Sequence, residues 1–320
     1  MLHIYCHVSR CALAVTILSC WFEAIRANGS AAIETFFLEI CQYLRRHLKT
    51  IRVTPTRRNG DRHVMVRFLF AVSGAVLMFF LFGKPYKRGF FCNDESLYHP
   101  FHTSTVTSVM LYVIGLFLPI CTVSHLLRFL ISLLRKETSD DTSTTSLSFL
   151  LIFLLLQIGV FGFGAITTVL ITDVAKYTIG RLRPHFMTLC VPSINCSLPE
   201  NQHRYIENYV CTENISARFL KEIRLSFPSG HSSFSAYTMI YLAMYLQLRM
   251  TWKGSKLLKH FLQLLCLLMA WFTALSRVSD YKHHWSDVLA GSTLGTIIAL
   301  VVVSIILLNY PIVTVTTSYV

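Results

Sequence analysis

Six runs of the chain are apolar and nearly free of charge: approximately Phe68 to Phe82, Thr105 to Val123, Phe149 to Leu170, Ser233 to Leu248, Phe261 to Leu275 and Val288 to Leu308. A helix that crosses a bilayer core of roughly 30 Å needs about 20 mostly apolar residues. Each run is therefore a candidate span, although the first, fourth and fifth are short for the task. The pattern predicts an all-α protein, a bundle of six transmembrane helices over residues 65–308, with a basic N-terminal region (1–64) before it and a short tail (309–320) after it.

The first 64 residues admit more than one reading. Cys11 to Phe22, following Arg10, resembles the apolar part of a signal peptide. Ile33, Phe36, Phe37, Ile40, Leu44, Leu48 and Ile51 recur at helical spacing, as in an amphipathic helix lying on a membrane surface. An unstructured tail is the plainer alternative.

Composition agrees with a membrane protein: 53% of residues are hydrophobic and only 14% are charged. Lys and Arg outnumber Asp and Glu by 29 to 16, but the excess sits in short segments beside the apolar runs rather than on one basic face with interleaved aromatics. That distribution excludes nucleic acid as a partner and makes the charges a topology signal. Arg45 to Arg67 precede the first span, Arg128, Arg135 and Lys136 follow the second, and Arg249 to Lys259 fill the connection after the fourth. These segments alternate along the chain and so share one side, expected to be cytoplasmic. The other side receives residues 83–104, 171–232 and 276–287. It carries the sequons at Asn195 and Asn214, which are glycosylated only at a luminal or extracellular address. A third sequon, at Asn28, would be cytoplasmic and unused.

Cys92, Cys190, Cys196 and Cys211 lie on that same outer side, where oxidation is permitted. Four thiols allow three disulfide pairings, and free thiols are the alternative.

Three polar clusters punctuate the outer segments: Lys176 to Pro184, Pro228 to His231, and Ser276 to Asp287. Taken singly, an Arg or Lys at a span end is ordinarily a lipid-headgroup anchor, and a loop histidine is ordinarily solvated. Together, on one side, they make a more specific set. Lys176, Arg183 and Arg277 offer an ammonium and two guanidinium forks, which suit a group with several anionic oxygens. Ser229 and the Gly230 N–H add neutral donors at a helix start. His283 and Asp287 stand four residues apart, so the carboxylate is placed to fix one ring nitrogen and leave the other to attack phosphorus. His231, from another span, is the candidate proton donor. Neither histidine has a His or Cys partner at metal spacing, and no carboxylate cluster for magnesium lies on this side, so no metal and no cofactor are expected.

These strings resemble the lipid phosphate phosphatase family, the type 2 phosphatidic acid phosphatases, whose signature is K-x6-R-P, P-S-G-H and S-R-x5-H-x3-D. Lys176 to Pro184, Pro228 to His231 and Ser276 to Asp287 match it without substitution, and RGFFCNDES at 88–96 adds to the likeness to the animal integral-membrane branch. The resemblance covers roughly residues 65–308. It implies six spans with cytosolic termini, an active site on the luminal or extracellular face, and magnesium-independent hydrolysis of phosphatidate, lysophosphatidate, ceramide 1-phosphate and sphingosine 1-phosphate. It also implies a phosphohistidine on His283, with His231 as acid and then base, Asp287 orienting His283, and Lys176, Arg183, Ser229, Gly230 and Arg277 holding the phosphate. The expected setting is the plasma membrane, endomembranes being the alternative, with roles in lipid metabolism and signalling.

Three rivals are weighed against this. A catalytically silent lipid-binding scaffold of the same fold would be expected to lack a catalytic histidine or a cradle cation. A transporter would carry charge at mid-membrane, whereas Asp173 lies near a span end. A phosphatase of soluble esters would depart from the lipid branch in its loops. Gly291 and Gly295 form a G-x3-G pattern that suits close packing within the bundle, although such patterns also join helices of two copies into a homo-oligomer. The final Ser318-Tyr319-Val320 resembles a ligand for a PDZ-domain protein.

Overall fold

A computed structural model of the chain describes residues 83–137, 143–213, 216–250 and 256–309, with Gly74 and Met78 besides. The chain divides after Asn59, and the described residues all belong to the second unit, Gly60–Val320. The readings of residues 1–64, of the first predicted span apart from Gly74 and Met78, and of Asn28, Asn214 and the C-terminal Val320 fall outside the described residues.

Among the described residues five long helices carry the fold: α1 (Ser108–Glu137), α2 (Ser143–Ile179), α6 (Gly230–Arg249), α7 (Lys256–Ser279) and α8 (Trp285–Asn309). Between α2 and α6 lie three short helices, α3 (Phe186–Cys190), α4 (Pro199–Gln202) and α5 (Ala217–Glu222). Strand β1 (Phe90–Phe91) pairs antiparallel with β2 (Tyr205–Ile206), Phe90 opposite Ile206, so the helical class carries one small strand pair.

Among the described residues four helices are long and apolar enough to cross a membrane: Ser108–His125, Leu155–Ile179, Leu257–Ser279 and Trp285–Ser304. The fourth predicted run forms α6 but does not reach that threshold. The reason is its position. Helix α6 is the centre of the bundle, packed by α1, α2, α7 and α8. It buries Ser232, Ser233, Ser235 and Thr238 along with Tyr237 and Tyr241. A helix surrounded by other helices can satisfy small polar side chains locally, as Thr238 does on the Phe234 carbonyl and Ser233 on the Thr172 hydroxyl.

Close approach between α6 and α8 depends on the two glycines. A Cβ on Gly291 would overlap the Ser229 carbonyl, and one on Gly295 would overlap the Ser233 carbonyl and lie 2.9 Å from the Tyr237 amide. The G-x3-G pattern therefore serves packing within the bundle.

At the end where α2 stops and α6 starts, the loops build a small core of their own from Phe90, Leu97, Leu182, Phe186, Ile206, Tyr209 and Ile223. Disulfides Cys92–Cys196 and Cys190–Cys211 staple it, one of the three pairings open to these cysteines. Cys92–Cys196 ties the segment before α1 to the long loop, and Cys190–Cys211 closes a turn within that loop, so the cap over the ends of α2 and α6 is cross-linked.

Candidate active site

Helix α2 carries Lys176 in its last turn and ends at Gly180, whose φ of +60° is a left-handed conformation that only glycine adopts without strain. A Cβ there would also overlap the Tyr86 carbonyl. The turn directs Arg181-Leu182-Arg183 under the cap. The Arg183 Nε donates to the Glu222 carbonyl at 2.9 Å, and its guanidinium lies 3.3 Å from the Glu222 carboxylate. Burial, the largest influence, pulls the Arg183 pKa below its ordinary value, and the group stays a fixed cation.

Ser229 is the N-cap of α6, its hydroxyl oxygen accepting from the Ser232 hydroxyl at 3.0 Å, and its own hydrogen stays free to donate. Gly230 follows with a bare Cα: a Cβ would come within 2.9 Å of the Lys176 ammonium, so glycine makes room for that cation. His231 stands in the first turn, and its buried Nε2 has no hydrogen-bond partner among the described residues. Burial first, then Arg277, His283, Lys176 and Arg183, hold the His231 pKa down to about 3. Those four side chains, from the two other polar clusters, therefore act on one imidazole.

Helix α7 carries Ser276 and Arg277 in its last turn. The Arg277 guanidinium is almost wholly buried and donates to Asp280 at 2.9 Å and to the Ser276 hydroxyl at 3.2 Å. Asp280 in turn accepts from the Thr105 amide and hydroxyl at 2.8 and 2.7 Å, which fastens the end of α7 to the segment before α1.

His283 departs from the expected geometry. Its Nδ1 donates to the Ser226 carbonyl at 2.7 Å, while Asp287 Oδ2 is 3.9 Å away, too far for a hydrogen bond. Asp287 instead accepts from Arg181, from the Ser226 hydroxyl at 2.6 Å and from the His284 amide at 3.1 Å. The carboxylate thus acts on His283 through Ser226: it holds the Ser226 hydroxyl, and the Ser226 carbonyl holds the ring. A carbonyl only accepts, so Nδ1 carries the proton and Nε2 keeps its lone pair. Burial, the first cause, keeps the His283 pKa at about 3 and the ring neutral at pH 7.

All eight motif residues lie at this end of the bundle. Sequence reasoning missed Arg181, Ser226, Asp280 and Glu222, which hold them. Arg181 and Asp280 lie inside the motif strings and were open to notice, Asp280 as the residue one helical turn beyond Arg277. Ser226 and Glu222 lie outside the motif strings, and part of what each does, holding His283 and Arg183, rests on a main-chain carbonyl that leaves no mark in the sequence. Lys282 was also unremarked; its ammonium sits 3.6 Å from the Phe101 ring centroid, and burial lowers its pKa to about 8. Asn195 is exposed on the cap, its side-chain oxygen accepting from the Ser197 amide at 2.9 Å. No group of three His, Cys, Asp or Glu side chains gathers at metal-holding distance among the described residues.

Comparison with known proteins finds the PAP2 superfamily across residues 157–311. A Drosophila melanogaster protein provisionally named a phosphatidate phosphatase is 52% identical over 251 residues, 74% of this chain and 66% of its own length, so the chain spans just under two thirds of it. Phospholipid phosphatase 1 of Rattus norvegicus is 41% identical over 222 residues, 68% of this chain and 75% of its own length. Phospholipid phosphatase 2 of Homo sapiens is 38% identical over 223 residues, 68% of this chain and 73% of its own length. No solved structure matches. Three motifs in order at one end of a helical bundle, with relatives aligned over most of the chain, place it: it belongs to the PAP2 superfamily and, within that, to the lipid phosphate phosphatases.

Proposed function

We propose that the chain hydrolyses phosphate monoesters of membrane lipids through a phosphohistidine on His283. The observation that carries this reading is the Nδ1 bond from His283 to the Ser226 carbonyl, which reserves Nε2 for attack within a group of cations. In the first step the Nε2 lone pair forms a bond to phosphorus, the phosphorus–alkoxide bond breaks, and His231 gives its proton to the leaving oxygen. In the second, His231 takes a proton from water, the water oxygen attacks phosphorus, and the phosphorus–nitrogen bond breaks to release inorganic phosphate and neutral His283. Lys176, Arg183, Arg277 and the Ser229 and Gly230 donors stabilise the charge on the transferring group.

His231 must be protonated for the first step, yet in the free site burial, and after it the neighbouring cations, hold its pKa at about 3. A bound phosphate dianion neutralises those same cations, so substrate itself raises the His231 pKa and loads the acid.

The substrates we assign are phosphatidate, lysophosphatidate, ceramide 1-phosphate and sphingosine 1-phosphate, with acyl chains in the bilayer and phosphate at headgroup depth, and with no need for magnesium. The relatives' printed names, phosphatidate and phospholipid phosphatase, support the class. We further propose six spans, cytosolic termini, a site facing the lumen or the cell exterior, and residence in the plasma membrane. Replacing Asn195 and Asn214 with Gln should abolish endoglycosidase-sensitive mass; a shift that persists through Asn28 inverts the topology. Loss of a binding protein on deletion of Val320 would support the PDZ-domain partner.

The deciding experiment is phosphate release from phosphatidate in detergent micelles with EDTA, wild type against His283→Ala. Release by the wild type that vanishes in the variant supports the proposal. A folded wild type inactive on all four lipids overturns it in favour of a scaffold.

A further inference from the structure

A cavity of about 780 Å³ lies in the cap, and none of the motif residues lines it. Its walls include Lys84, Lys87, Lys221 and Arg224, set around Tyr209 and Leu220, and no Asp or Glu is among the lining residues. The Lys87 ammonium and the Arg224 guanidinium lie 5.5 and 5.2 Å from the centroid of the same Tyr209 ring. The Lys221 ammonium lies 5.0 Å from the Tyr177 ring.

Lys84, Lys87 and Arg224 differ from the cations of the catalytic cluster, where Lys176, Arg181, Arg183 and Arg277 each have a carboxylate within 4 Å. Among the described residues no such ion pair engages Lys84, Lys87 or Arg224. Like charges gathered on one cavity repel, and an anion seated between them removes that repulsion. The volume exceeds what a single oxyanion fills and falls in the range of small-molecule sites, roughly 300–1,000 Å³. Gly83 and Lys84 follow directly on the first predicted span, which is where a site for a lipid headgroup is expected.

We propose that this basic cavity is a second binding site, separate from the catalytic histidines, for a phosphate-bearing group of headgroup size. An anionic phospholipid of the bilayer and a soluble phosphodiester share that chemistry. The site goes beyond the proposed hydrolysis and does not depend on it. It also shares a strand of chain with the catalytic centre: Lys221 and Arg224 face the cavity, the Glu222 and Ile223 carbonyls between them hold Arg183, and Ser226 holds His283.

The test titrates the purified full-length protein, in neutral detergent, with phosphatidylglycerol and follows bound lipid by native mass spectrometry. A parallel arm uses water-soluble glycerophosphoglycerol. Neither probe offers a phosphate monoester, so the readout is independent of turnover. Wild type is compared with Lys87→Gln/Arg224→Gln and with Arg204→Gln/Arg218→Gln, which removes the same charge from exposed positions outside the cavity. The expected result is a loss of apparent affinity of tenfold or so in the cavity variant and less than about twofold in the control. Lipid binding without headgroup binding assigns the ligand to the bilayer, and equal binding assigns it to the soluble ester. Equal losses in both variants, or none in either, overturn the site. A measurement on the wild type alone guards against misfolding: phosphatidylglycerol, and not phosphatidylcholine, should protect Lys84, Lys87 and Lys221 from acylation, and absence of protection overturns the proposal as well.

Discussion

Helices α6 and α7 lie side by side and bury a shared core of Met239, Leu242, Leu246 and Cys266, yet they are built on opposite plans. Away from α6, helix α7 presents Leu257, Phe261, Leu264, Leu268, Trp271 and Phe272 outward, an apolar face of the kind a bilayer solvates. Helix α6 has little outward face, and its interior positions include serine, threonine and tyrosine beside the apolar ones. The difference shows that mean hydropathy reports what surrounds a helix rather than whether it lies in the bundle. It also separates two kinds of sensitivity. Errors on α6 strike backbone contacts and the catalytic end, whereas errors on the outer face of α7 meet lipid.

The largest effect should come from Gly295→Leu, which drives a side chain into the backbone of α6 at Ser233. Overpacking typically costs 1–3 kcal/mol, and a backbone neighbour cannot yield, so a loss of about 3 kcal/mol or more is expected. Size-exclusion chromatography should show the folded peak gone. A folded, active Gly295→Leu protein would break the claim that α6 and α8 touch backbone to backbone.

Acid should separate the catalytic end from the rest almost as strongly. His185, His231 and His283 are held at about 4, about 3 and about 3, burial being the first cause in each case. Their unfolded value is about 6.5, so on acidification the unfolded chain takes up protons first. Stability is therefore retained above pH 6.5 and declines from about pH 6.5 towards pH 4, on the order of 1 kcal/mol per pH unit for each ring. Thermal melts across that window should record the decline. In the folded protein, nitrogen-15 shifts of His231 should stay those of a neutral ring at pH 6, and added vanadate should move its titration upward. An unchanged midpoint with vanadate bound would detach His231 from the phosphate position.

Ser226→Ala sharpens the role of Asp287. It removes the hydroxyl that Asp287 holds but leaves the carbonyl that holds His283, so kcat should fall by on the order of tenfold with KM little changed. A fall as deep as that of Asp287→Asn would mean that Ser226 is the whole connection. Tyr237→Phe removes one buried bond to the Phe161 carbonyl, 2.6 Å long, and should cost about 1 kcal/mol in a denaturation series. The smallest effect belongs to Leu268→Ala on the outer face of α7, expected to stay within about 0.5 kcal/mol. A loss near that of a core leucine would mean that protein, not lipid, covers that face.

The three motifs were legible in the sequence because phosphate chemistry needs particular side chains, and those side chains announce themselves by type and spacing. The long apolar runs of α1, α2, α7 and α8 were legible for a similar reason, since a hydrocarbon surrounding leaves no alternative to apolar side chains. Helix α6 was recognised as an apolar run, but its central place was not, because a helix that trades lipid for protein neighbours loses the composition that marks a span. The tie between His283 and Asp287 was read as direct from their spacing of four residues. The fold inserts Ser226 between them instead, its hydroxyl on the carboxylate and its main-chain carbonyl on the ring. The disulfide pairing, the Asp280 clamp on Arg277 and the basic cavity around Tyr209 likewise join residues that lie far apart along the chain or carry no motif. Side-chain chemistry is local and is written in the sequence, whereas which carbonyl meets which ring, and which cations share a cavity, follows only from how the helices and the cap close upon one another.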